Sequence, residues 1–342
     1  MNPKPFDNCP ALDGCHCQTS SFRKIFHFNN CPLSEEMIFG IGAGMGFIYW
    51  HQKGNAPFIG ARGNYRDFCK DIGKRTGVKI TEFISSSEKK AEKILVEHME
   101  KGIPLAMDGD MFFLPWFDFP EEYHFGGHTY VICGWDGKDT FLASDIDPVS
   151  VKLKKGFYHK ISREQLAKAR GSKFKPFPPA NRCYLFDFTK FRKPGKPEIY
   201  ESIHQAADGM LHAPISNLGI RGIRKTGKMI KNWPETLDKK TFREAVFNLY
   251  IFIESGGTGG GSFRYMYSRY LKEASEITGN KTLGTASEMI NSSGKKLSQF
   301  ANYFRDSAGG DINMDMISKA PEVMDEVAEI EKEAFGLLEH AG

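Results

Sequence analysis

The 342-residue chain contains no run of about 18 uncharged apolar residues, the length a membrane-spanning helix needs. Its first residues, Met1-Asn2-Pro3-Lys4-Pro5-Phe6-Asp7, lack the apolar core of a secretory signal. Cysteine is sparse: seven residues, an odd count without the even spacing of a disulfide framework, so a reducing compartment is expected and the protein is placed in the cytoplasm. Neither sign of charge dominates, because 46 Lys and Arg oppose 42 Asp and Glu for a net +4, and the two are mixed along most of the chain. That balance argues against a nucleic-acid or membrane surface. Only residues 321 to 340 depart from it, with seven acidic residues against one Lys, which reads as the solvated face of a last helix. What remains is 40% hydrophobic and 26% charged, a globular composition, and the length favours two domains over one.

Periodicity divides the chain near residue 190 into a mixed part (1–190) and an almost wholly helical part (191–342), joined by FRKPGKPE at 191–198. After an expected cap at Asp13, residues 18–27 place Phe22, Ile25 and Phe26 on one helical face, with Cys17 at the helix N-terminus. Leu33–Phe39 is a second helical run, opened by Ser34 with Met37 and Ile38 inward; it ends in GIGAGMG before an apolar strand, FIYW. Tyr65–Arg75 is helical and stopped by Gly77, Val78–Ile84 alternates as a strand, and Ser85 with Glu88 reads as a capping box for a helix ending at Gly102. Strand patterns follow at 103–107, 128–135, 140–144, 151–161 and 183–188, several separated only by turn residues such as Asp136-Gly137. Helices followed by hairpin-linked strands predict an α+β domain with an antiparallel sheet. Residues 199–231, 239–254, 262–278 and 282–305 each fit a helix, broken at Trp233-Pro234, GGTGGG (256–261) and Gly279-Asn280.

The candidate nucleophile is Cys17. A thiolate at a helix N-terminus is stabilised by unpaired backbone N–H groups and the positive end of the helix dipole. Its candidate base is His128, at the first residue of the strand HTYVICGW and directly after Gly126-Gly127. Seventeen residues later Asp145 ends the next strand, where the Asp136-Gly137 turn would set its carboxylate beside the imidazole; Asp147 is the rival, one change of register away. Cysteine, histidine and aspartate in this order form an acyl-transfer triad. Other patterns weigh less. GIGAGMG does not fit a dinucleotide fingerprint and reads as close packing of helix on strand. GGTGGG reads as a flexible connection, or as an anion nest near Arg264. Cys15, His16, Cys17, His124 and His128 could suggest zinc, but Gly126-Gly127 breaks the helix that such spacing requires, so neither metal nor cofactor is expected. FFLPWFDF (112–119) could line an acyl pocket, cover the site or pack domains together.

HCQTSSFRKIF, LSEEMIFGIGAGMGFIYW and FGGHTYVICGWDGKDTFLASD closely resemble the N-terminal domain of the butirosin biosynthesis protein H family, and IESGGTGGGSFRYMYSRYL is similar to the helical domain of unknown function that accompanies it. The resemblance spans nearly the whole chain. It implies a papain-like fold related to the bacteriocin-processing peptidases of ABC transporters. It also implies an acyltransferase that moves an acyl group from a carrier-protein thioester through a cysteine to an amine, with Cys17, His128 and Asp145 matching by position. The expected partners are an acyl carrier protein or other thioester donor and a small amine acceptor, with no nucleic acid and no membrane; a homo-oligomer is compatible with the sequence. The same triad would serve a peptidase or amidase, and a pocket without a reactive thiol would be a binding module.

Overall fold

The computed structural model describes residues 2–118, 122–146 and 155–342. The chain is α+β and divides into two compact units: one joins Met1–Ile38 to Thr76–Lys193, the other joins Phe39–Arg75 to Pro194–Gly342. Residues 39–75 therefore group with the C-terminal helices. Among the described residues no helix is long and apolar enough to cross a membrane.

The first unit is built on a six-stranded antiparallel sheet. In chain order its elements include α1 (Cys17–Phe28), the start of α2 (Glu35–Ile41), β3 (Lys79–Phe83), α4 (Glu88–Glu100), β4 (Leu105–Gly109), β5 (His128–Trp135), β6 (Thr140–Ile146), β7 (Gly156–Ser162), α5 (Arg163–Gly171) and β8 (Cys183–Asp187). The spatial strand order is β3-β8-β4-β5-β6-β7. Strand alternation sorts its side chains to two faces. On one face Phe22 of α1 meets Tyr184 and Phe186 edge-on at 5.0 and 5.1 Å, and Phe26 continues the stack onto Phe188. On the other, Leu95 and Met99 of α4 and Leu166 of α5 close over Met107, Tyr130, Ile132, Phe141 and Ala143. The predicted inward residues Phe22, Ile25 and Phe26 are all buried, each contributing about 1.5–3 kcal/mol by the usual burial scale. Two expected caps differ. Ser87, not Ser85, caps α4 through the Lys90 N–H, and Ser85 instead accepts from the Ser87 N–H. Asp13 does not cap α1; it accepts from the Gly156 N–H and pairs with Lys155.

The second unit contains a two-stranded ribbon, β1 (Met45–Trp50) with β2 (Phe58–Arg62), then α3 (Phe68–Thr76), which crosses its boundary, and α6 (Lys196–Leu211), α7 (Gly219–Thr236), α8 (Lys239–Tyr250), α9 (Arg264–Thr278), α10 (Lys281–Asn302) and α11 (Met314–Glu339). The glycines of GIGAGMG serve close packing: a Cβ at Gly40 would strike the Tyr270 ring and one at Gly42 the Phe68 ring. The single helix expected over 199–231 is two, because Pro214 disfavours helix in the residue before it and Gly219 turns the chain at a φ of 58°. Pro234 does not stop α7 but lies inside its last turn, beside a buried Trp233 that bonds the Tyr49 hydroxyl. GGTGGG is not a loose connection. It is largely buried, Gly261 N–H donates to Glu254, the Thr258 hydroxyl donates to Ile253 O, and Arg264 is spent on a buried pair with Glu331 at 2.8 and 2.9 Å.

Candidate active site

The site begins where α1 begins. His16 is the N-cap residue, in an extended conformation, and its ring accepts from the Thr19 N–H, so Cys17 occupies the first helical position. The Cys17 thiol is half-buried and unpaired with any other cysteine. The backbone on either side of it is held from outside the helix. Glu35, buried in the first turn of α2, accepts from the Cys15 and His16 N–H groups at 2.8 and 2.9 Å and from the Thr19 hydroxyl at 2.8 Å. Burial pushes its carboxyl pKa up, against those hydrogen bonds.

His128 opens β5, and its ring is buried. The Cys17 side chain favours its protonated form. His128 Nε2 lies 2.6 Å from Asp145 Oδ2, so the carboxylate engages one ring nitrogen and leaves Nδ1 to other partners. Asp145 also accepts from the Trp116 indole N–H at 2.8 Å and from the Ile146 N–H at 2.8 Å, so both its oxygens are engaged. Burial disfavours the imidazolium, but the Asp145 charge and hydrogen bond, with the Cys17 contact, outweigh it and raise the His128 pKa to about 10. For Asp145 burial again opposes ionisation, and His128 and Lys24 overcome it, so its pKa is lowered. His128 thus carries a proton at neutral pH while Asp145 is charged.

A β-bulge brings Asp145 to this position. Trp135 and Gly134 face Phe141 and Leu142, but Ile132 and Val131 face Ala143 and Ser144, so one extra residue on β5 shifts the register. Without it Asp145 would stand opposite Val131 and point to the other face of the sheet from His128. The bulge forms where the N-terminal segment crosses: Phe6 N–H donates to Cys133 O at 2.7 Å, and a Cβ on Gly134 would come within 2.2 Å of Lys4 O. Asp147, the rival third member, lies outside the described residues.

Lys24 and Glu35 had no role assigned from the sequence, and the aromatic segment 112–119 had several. Trp116, from the aromatic segment, stacks on His159 at 4.7 Å while donating to Asp145, and Phe117 meets the His128 ring edge-on at 5.0 Å. Part of that segment covers the histidine and carboxylate, and Phe112 is exposed; Phe119 lies outside the described residues. Lys24 is buried with no hydrogen-bond partner for Nζ among the described residues. Burial lowers its pKa against the pull of Asp145, Cys133, Cys9 and Glu35. Its spacing of seven from Cys17 put it on that residue's helix face, a legible signal. Glu35 left no comparable trace. Of the residues weighed as zinc ligands, His124 is occupied elsewhere, bonding Asp110 and Glu122 at 2.8 and 2.9 Å and stacking on Phe174. Among the described residues no group of three or more His, Cys, Asp or Glu is set to hold a metal.

Comparison with known families matches residues 16–146 to the model described as butirosin biosynthesis protein H, N-terminal, and residues 164–338, just over half the chain, to a domain of unknown function, DUF4872. No curated protein matches the chain.

Proposed function

The chain belongs to the DUF4872 family and carries the N-terminal domain of butirosin biosynthesis protein H, a family with a biosynthetic enzyme role, and from that premise we propose that it is a cysteine-dependent acyltransferase with a papain-like catalytic arrangement. Cys17 is the nucleophile, His128 its proton partner and Asp145 the group that orients the imidazole. The observation that carries this reading is a buried His128 bonded to Asp145 at 2.6 Å, its protonated form favoured by a thiol at the start of α1.

The Cys17 thiolate attacks the carbonyl carbon of an acyl thioester while His128 holds the proton. The tetrahedral oxyanion falls near the first turn of α1, where backbone N–H groups and the helix dipole favour negative charge. As the carbon–sulfur bond of the donor breaks, the His128 imidazolium protonates the leaving thiol, giving a Cys17 thioester and a neutral imidazole. An amine then attacks that thioester, His128 takes the amine proton, and an amide leaves as the thiolate and imidazolium are restored. Asp145 keeps its charge throughout and supports the imidazolium each time it forms. The proposed donor is an acyl carrier protein or other thioester, the acceptor a small amine, and the setting antibiotic biosynthesis. Seven cysteines, none of them in a disulfide, suit a reducing cytoplasm. The test is to supply an acyl thioester and a set of amines and to follow products by mass spectrometry. Amide formation that Cys17→Ala abolishes supports transfer; free acid with no amide from any amine would make the enzyme a hydrolase.

A further inference from the structure

Glu35 has only 2% of its surface exposed, yet it has no role in the triad and no Lys or Arg within salt-bridge distance among the described residues. A carboxylate is costly to bury unless donors engage it. All three of its assigned donors come from one five-residue stretch: the Cys15 N–H, the His16 N–H and the Thr19 hydroxyl. These flank Cys17 on both sides. Capping alone does not require this, because the His16 ring already accepts the Thr19 N–H. The preceding residue is pressed onto the same carboxylate: a Cβ at Gly14 would lie 3.2 Å from Glu35 Oε2 and 2.4 Å from Ser20 Oγ. Two helix starts are thereby tied together, since Glu35 is itself held in the first turn of α2 by the Ser34 hydroxyl, which accepts the Met37 N–H at 2.9 Å.

We infer that Glu35 is a positioning residue: its buried carboxylate clamps the 15–19 backbone so that the Cys17 sulfur is held within hydrogen-bond reach of His128. The inference rests on the reading of Cys17 as the nucleophile. Glutamine at this position has the same shape but only one acceptor oxygen, and its amide N–H₂ would face a donor. Displacing a reacting atom by about 1 Å can cost a hundredfold in rate, so loss of part of the clamp should cost about tenfold.

The experiment uses the full-length protein with Glu35→Gln, and Thr19→Val as a milder cut that removes one donor and keeps the carboxylate. An N-acetylcysteamine acyl thioester measures single-turnover acylation of Cys17, and iodoacetamide measures Cys17 labelling against Cys31 in the same molecule. Folding is checked by circular dichroism. The expected result is a folded Glu35→Gln protein in which the acylation rate constant falls about tenfold with half-saturation unchanged, Cys17 labelling falls relative to Cys31, and Thr19→Val falls by less. Equal acylation and an equal labelling ratio in folded Glu35→Gln overturn the inference; if that variant does not fold, wild-type behaviour of Thr19→Val overturns it. Should wild-type Cys17 resist acylation, the functional reading fails, and the labelling ratio still decides the clamp on its own.

Discussion

Each unit buries a network of charges, and the two networks are finished differently. In the helical unit Arg264 Nε and Nη2 grip Glu331, Nη1 donates to Ser262 O, and the Ser293 hydroxyl bonds the same carboxylate, so the two charges answer each other inside the network. In the sheet unit Asp145 holds a buried His128, and the thiol of Cys17, which acts on that ring, is half-buried. A closed network stabilises a fold and does nothing further. An open one leaves a proton and a thiol at its end, the two groups that the proposed acyl transfer requires.

Substitutions can break or sharpen that contrast. The largest effect expected is on Cys17→Ala, which should abolish acyl loading while changing urea-unfolding stability by less than about 1 kcal/mol. Next is Asp145→Asn, which removes the charge supporting the imidazolium and should lower the transfer rate by roughly 10²–10⁴-fold, read from steady-state kinetics. Arg264→Ala, at the closed network, should show the opposite profile: a stability loss of about 3–5 kcal/mol in urea unfolding, because Glu331 is left buried and uncompensated.

The same pair sets a pH dependence. His128 is raised above its ordinary 6.5, so its contribution to stability is complete below that value and is lost as pH climbs through about 10. Asp145 is depressed, so its contribution is present above its ordinary 3.8 and disappears as pH falls below that. Histidine NMR titration should therefore find His128 protonated at neutral pH, with a midpoint near 10. In Asp145→Asn, where the carboxylate charge no longer opposes burial, the midpoint should fall well below that. The smallest effect is expected for Trp116→Phe, which keeps the ring over His159 but removes the hydrogen bond to Asp145; a rate loss of about threefold to tenfold would fit a partly exposed group in a supporting role.

Much of this was legible because it is local. The strand 128–135 matches β5 residue for residue, the amphipathic face of α1 is as read, and Cys17 does begin its helix. The resemblance to the butirosin biosynthesis protein H family stands on the same segments. Features made by distant residues were not legible. The true partner of the α1 entry, Glu35, is 19 to 20 residues from the backbone it holds, whereas Asp13 was the nearer polar residue and goes to Gly156 instead. The bulge that turns Asp145 toward His128 sits where Lys4 and Phe6 cross the strand, and no turn rule at Asp136-Gly137 contains that. Residues 39–75 read as part of the first domain by order in the chain, but they pack by shape, Gly40 beneath Tyr270 and Phe39 against Phe263.

The central claim is that Cys17 forms the acyl-enzyme through an open proton chain. Intact mass followed by peptide mapping, after brief incubation of wild-type protein with an acyl thioester and no amine, tests it directly. One acyl group per chain, located on the peptide carrying Cys17 and discharged on adding an amine, is the predicted result. An acyl group that persists in Cys17→Ala, or that maps to Cys31 or to a lysine, would contradict the account.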